Sequence, residues 1–164
     1  MSSEAISSAI FLIGAVVAAS VLLSAIFPII FTTGQTFGTV AHNADDQIRT
    51  DFAIVNTFSV GGSTTAQVWL KNTGANAISG YEIEKSDVFV GSESSITNLA
   101  YDGTLPLESF MYTIAGSDNT WNIGETVRLD ISSSYLNNPD GQTTVLFSFV
   151  LPNSVRRTIT FTKS

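Results

Sequence analysis

From Ala5 to Ala44 the chain holds no Asp, Glu, Lys or Arg, and from Ala5 to Phe31 its only polar side chains are the hydroxyls of Ser7, Ser8, Ser20 and Ser24. So long an apolar run constrains the backbone first. Away from water each N–H and C=O must be bonded within the segment, and a single stretch achieves that only as a helix. The serine hydroxyls fit this setting because they can bond back to a helix carbonyl. At about 1.5 Å per residue, residues 5–31 reach roughly 40 Å, more than the ~30 Å hydrocarbon core of a bilayer. Such a helix can be a signal peptide that is removed, an anchor that crosses a membrane, or a packing element among copies of itself.

A secretory signal carries a Lys or Arg leader and an apolar core of about 7–15 residues. Here Glu4 stands in front, and the run is far longer. Orientation is not readable from charge, since no Lys or Arg precedes Arg49 and the positive-inside rule has nothing to count. The helix face is more informative. Gly14 and Ala18, and again Ala15 and Ala19, are small residues four apart, with Ser20 and Ser24 continuing the pattern; such spacing lets a neighbouring helix approach backbone to backbone. Pro28 removes one helical hydrogen bond and is expected to kink or end the span near Phe27.

These features divide the chain into a transmembrane or packing helix over residues 1–31, a connector over 32–47 and a globular domain over 48–164. The connector TTGQTFGTVAHNADDQ is either a polar helix or a hinge. Its His42 lies near Asp45 and Asp46, but one imidazole and two adjacent acids supply too few converging ligands for a metal. They read as a solvated junction.

After Arg49 the hydrophobic period changes from helical to alternating. In TTAQVWLKN, Ala66, Val68 and Leu70 face one way and Gln67, Trp69 and Lys71 the other, the pattern of a half-buried strand. Similar runs are DFAIVNTFSV (51–60), SDVFVG (86–91), SITNLAY (95–101), SFMYTIA (109–115), ETVRLDIS (125–132), TTVLFSFVL (143–151) and VRRTITFT (155–162). Between them stand turn sequences, Gly61-Gly62, Asn72-Thr73-Gly74, Pro139-Asp140-Gly141 and Pro152-Asn153-Ser154. The fold class is therefore a long N-terminal apolar α-helix followed by an all-β antiparallel β-sandwich, immunoglobulin-like and pilin-like in plan, with its last two strands paired as a hairpin.

The sandwich shows no chemistry of its own. Seven Lys+Arg against fourteen Asp+Glu give a net charge of −7, unsuited to a phosphate backbone, so nucleic acid is not expected as a partner. There is no cysteine and one histidine, and neither a nucleophile elbow nor a phosphate-cradling glycine loop occurs. Neither cofactor nor metal nor catalytic residue is expected. Glu82, Glu84 and Asp87 read as a charged strand edge or loop, the two glutamates alternating onto the solvent face. Trp69 is either covered by the second sheet or an exposed anchor. Tyr101, Phe110, Tyr112 and Trp121 are the aromatics that an adhesin-like binding module would present together.

A membrane-length helix followed directly by a sandwich resembles the type IV pilin-like proteins of archaea. The segments IRTDFAIVN, VWLKNTGANAIS, EIEKSDVFVG, WNIGETVRLDIS and TVLFSFVLPNSVRRTITF look like those of the archaellum accessory proteins FlaG and FlaF, with KNTG, SDVFVG and W-x-x-GE in that order as the most specific part. The resemblance covers nearly the whole chain. It implies a structural component of the archaellum, the rotary swimming filament of archaea, with the helix in the cytoplasmic membrane or a helical bundle and the sandwich outside. A stator-like protein of this kind would self-associate, meet other archaellum subunits and contact surface-layer protein, with no bond chemistry. The archaellins, which polymerise into the filament through such helices, share the plan. Archaellins and many pilins are made with a basic leader, and none precedes Ala5; if the chain is unprocessed, that favours the accessory protein.

Overall fold

The computed structural model describes residues 2–92, 95–116, 118–137 and 144–163. It divides into two compact units, Met1–Ala44 and Asp45–Ser164. The first is part of a single helix, α1 (Ser2–Arg49), whose last turn, from Asp45 onward, belongs to the second unit. Residues 32–47 are helical throughout. Pro28 lies inside α1 and does not end it, although it offers no amide to the carbonyl of Ser24, one turn earlier.

The second unit contains a strand in each of the eight runs expected from alternation: β1 (Phe52–Ser59), β2 (Thr65–Asn72), β4 (Asp87–Gly91), β5 (Ile96–Tyr101), β6 (Ser109–Ile114), β8 (Thr126–Ser132), β9 (Thr144–Val150) and β10 (Arg156–Thr162). Two dipeptide strands, β3 (Ile78–Ser79) and β7 (Thr120–Trp121), pair with each other. The turn Pro139-Asp140-Gly141 and the first residue of the TTVLFSFVL run lie outside the described residues.

Hydrogen bonds connect the long strands in the order β1-β2-β8-β6-β5-β4-β9-β10. Among the described residues every ladder is antiparallel except β5 with β6, where Ala100 lies opposite Ser109 and Tyr101 opposite Phe110. This short parallel seam lets the sheet turn over on itself, so that its first four strands face its last four. Phe52 of β1 meets Phe149 of β9 across the interior, ring centroids 5.4 Å apart and nearly perpendicular. The last hairpin forms as expected, Arg156 opposite Val150 through Thr162 opposite Thr144.

Alternation explains the core. Val68 and Leu70 of β2, Val127, Leu129 and Ile131 of β8, and Val145, Phe147 and Phe149 of β9 are fully buried, because period-two side chains leave one face of each strand inward. Trp69 takes the outer face, half-buried, in register between Asn56 and Arg128. At the free edge, β1 bulges at Val55: Ile54 pairs with Leu70 but Asn56 with Trp69. The extra residue returns Thr57 and Ser59 to the inner rows of Val68 and Ala66.

One local expectation is corrected. Residues 80–84 are not a strand edge or loop but a short helix, α2 (Gly80–Glu84). The Ser79 hydroxyl accepts the Glu82 amide at 3.3 Å, while the Glu82 carboxylate accepts the Ser79 amide at 2.8 Å. This capping box satisfies two otherwise orphaned N–H groups, and the helix turns Ile83 fully into the core.

Candidate assembly surfaces

The surface most open to assembly is that of α1, whose chemistry differs from that of the sandwich. On α1, side chains such as Ile10, Phe11, Val21 and Ile30 stand in the open, Phe11 with 82% of its surface exposed. The helix is long and apolar enough to cross a membrane. Five of its hydroxyls bond back to the helix backbone. Ser8 donates to the Glu4 carbonyl at 2.9 Å, Ser20 to Val16 at 2.8 Å, Thr32 to Pro28 at 2.8 Å, Thr36 to Thr32 at 2.8 Å and Thr39 to Gln35 at 3.1 Å. Hydroxyls bonded this way enter lipid or a helix interface without leaving a donor unmade.

A shallow notch is lined by Ser7, Ile10, Phe11, Gly14, Ala15 and Ala18, and a side chain added at Gly14 would meet nothing in the isolated chain. Ala19 lies on the same helix, one turn beyond Ala15. A further pair escaped the sequence reading. Gly34 and Gly38 form a second small-xxx-small step in the uncharged polar part of α1, with open space at both. The G-x-x-x-G spelling was the available signal.

The four aromatics singled out in the sandwich do not form one exposed cluster. Phe110 and Trp121 are fully buried; Tyr101 leans on Phe110 and Tyr112, with centroids 5.7 and 5.6 Å away. The Tyr112 hydroxyl shares its proton between Glu84 Oε1 and Asn119 Oδ1, each at 3.0 Å. Burial, foremost, holds the Tyr112 hydroxyl above its ordinary pKa, with the Glu84 charge acting in the same direction. Trp121 instead packs against Phe52 of β1, centroids 6.0 Å apart. Among the described residues no three His, Cys, Asp or Glu side chains converge as for a metal, and His42 gathers no such set.

A second polar knot locks a loop. Glu108 has a positive φ of 61° and accepts bonds from the Ser133 hydroxyl at 2.9 Å and the Ser134 amide at 2.8 Å, along with the Ser134 hydroxyl. Desolvation pushes its carboxyl pKa up, but these three bonds outweigh it and leave the group below its ordinary value. Glu108 thereby ties the loop before β6 to the 3-10 turn Ser134–Asn137.

This architecture is that of a β-sandwich carried on a long apolar helix. Residues 2–161 match the family model of the archaeal-type flagellins. An uncharacterized protein of Archaeoglobus fulgidus is 30% identical over 158 residues, covering 95% of this chain and 96% of its own. The archaeal flagellum of Methanospirillum hungatei strain JF1 is similar over 97% of this chain and 93% of its own, at 16% identity and a TM-score of 0.65. The archaellum periplasmic stator protein FlaG from Sulfolobus acidocaldarius is similar over 68% of this chain and 99% of its own, at 21% identity and a TM-score of 0.53. The chain belongs to the archaeal-type flagellin family. It is a structural component of the archaellum at the archaeal cell surface.

Proposed function

We propose that the chain is a self-associating, helix-anchored archaellum subunit whose sandwich stands outside the cytoplasmic membrane and acts in a stator-like manner against the surface layer. One observation carries this reading: α1 keeps its large apolar side chains exposed and has no charge from Ala5 to Ala44, so it needs lipid or other helices around it. Residues 1–31 form the span, 32–47 lead from it, and 48–164 form the external contact domain. Gly14, Ala15, Ala18 and Ala19 are the helix-packing residues, and Pro28 is a kink within the span. The work is mechanical and needs no enzyme chemistry. Likeness of the sandwich to the stator protein FlaG supports the stator-like role.

A second reading has its own observation. At about 1.5 Å per residue, the charge-free part of α1 runs roughly 60 Å, about twice the bilayer core. Its outer half carries Gly34 and Gly38 in place of the charges that a water-facing helix displays. Together with the likeness to an assembled flagellum over 97% of the chain, this favours a subunit that polymerises through its helices. Electron microscopy of the full chain in mild detergent and after detergent removal, beside residues 45–164 alone, separates the two. Small membrane-bound oligomers, with the shortened chain still binding surface-layer protein, support the stator-like role; long fibres with α1 at the centre establish the filament subunit instead.

A further inference from the structure

The two turns that interrupt the strand pattern, KNTGAN after β2 and WNIGE around β7, come together at one place. Asn72 is fully buried. Its side-chain amide donates to the Asn76 carbonyl at 2.9 Å and the Trp121 carbonyl at 3.0 Å, and its side-chain oxygen accepts the Gly74 amide at 3.0 Å. Its backbone amide donates to Glu125 O and its carbonyl accepts the Gly124 amide, both at 2.9 Å. The Trp121 ring N–H also reaches the Glu125 carbonyl at 2.9 Å. Gly124 has a φ of +81°, which a residue with a Cβ rarely adopts.

What this knot holds is the end of α1. The last carbonyls of a helix have no partner within it. Here Arg49 O accepts the amides of Ala75 at 2.7 Å and Asn76 at 3.3 Å, and Asp51 O accepts those of Thr73 at 3.0 Å and Gly74 at 2.9 Å. Thr50 returns its amide and hydroxyl to Asp46 O at 3.0 and 2.7 Å. A Cβ at Gly74 would run into the Asp51 amide and stand 2.6 Å from Arg49 O. From the opposite edge Arg157 pairs with Asp51, and Phe52 lies between Trp121 and Phe149, centroids 6.0 and 5.4 Å away. Residues 49–52 are therefore gripped by both layers of the sandwich.

We infer that the KNTGAN and WNIGE turns form a socket that fixes the last turn of α1 as part of the sandwich, with Gly74 and Asn72 as its positioning residues. The last turn of α1 is then held to the strands by backbone hydrogen bonds at Arg49 and Asp51. The inference holds for a stator-like subunit and for a filament subunit alike.

Trypsin digestion of the full chain in detergent tests it, since Arg49 lies at the socket and Arg128 in the central strand β8. Opening of the socket exposes the bond after Arg49. Gly74→Ala is expected to raise cleavage there about ten-fold, leaving Arg128 unchanged, because loss of a few hydrogen bonds shifts only the local opening equilibrium. No change, or an equal rise at Arg128, overturns the inference. Amide exchange of the unaltered chain gives an independent check. Thr73, Gly74, Ala75 and Asn76 are expected to be as protected as Val68 and Leu129; exchange as fast as in the Gly61-Gly62 turn overturns it.

Discussion

In α1, Phe11, Ile10 and Leu12 leave most of their surface open, whereas in the sandwich Phe52, Phe110, Phe147 and Phe149 are wholly buried. The same kind of side chain thus plays two thermodynamic parts. Burying a large apolar side chain is worth about 1.5–3 kcal/mol. In the sandwich that free energy is used within the chain to hold a fold. In α1 it remains available to lipid or to neighbouring helices. If the proposed function holds, folding and assembly are carried by separate parts of the sequence, a comparison broken by any variant that moves both at once.

The largest expected effect comes from removing residues 1–44. The remaining chain is expected to fold cooperatively and stay dispersed, while assembly is abolished; thermal circular dichroism and electron microscopy check the two halves of this statement. A chain that fails to fold without α1 would erase the distinction. Trp121→Ala, inside the sandwich, is expected to cost about 3–5 kcal/mol of folding stability, read by denaturant unfolding of residues 45–164, with no loss of membrane association by the full chain.

Gly14→Leu or Ala18→Leu sharpens the comparison from the other side. Either is expected to weaken assembly by holding neighbouring backbones apart, with the melting temperature of the sandwich unmoved. Normal assembly would remove these residues from the packing face.

Titration gives a smaller effect. Glu108 sits below its ordinary carboxyl value of 4.5 in the folded chain, so its contribution is present above that value and is lost as pH falls through the lower folded one. Denaturant midpoints are expected to hold steady above the unfolded value and to decline in more acid solution, with a shallower decline in Glu108→Gln. An unchanged acid slope in that variant would show that the loop lock does not titrate. The smallest change is expected at the partly exposed Asp51 and Arg157 pair, where Arg157→Gln costs less than about 1 kcal/mol by the same measurement.

Much of the fold was legible because two periods were clean. Roughly forty Å of uncharged apolar sequence reads as helix at about 1.5 Å per residue, β2 alternates in burial along its whole length, and in β8 Val127, Leu129 and Ile131 alternate in sequence with polar residues. The α2 turn was misread because Glu82-Ile83-Glu84 imitates strand alternation over three residues. Ser79 with Glu82 three positions later spelled a capping box. The parallel pairing of β5 with β6 could not be read, since it rests on two residue pairs whose partners are set by the packing of other strands. Asn72-Thr73-Gly74 was legible as a turn but not as a grip on Arg49, because that contact joins segments more than twenty residues apart. Pro28 was expected to kink or end the span; its place inside α1 excludes only the second.

The bulge at Val55 bears on crowding. Helices that gather many copies bring their sandwiches to a high effective concentration, a setting in which a straight, unpaired strand edge recruits its neighbour and grows into continuous cross-β sheet. The misaligned residue in β1 breaks the row of amides and carbonyls that such zippering requires. At the β1 edge the bulge therefore disfavours addition of a neighbour's strand.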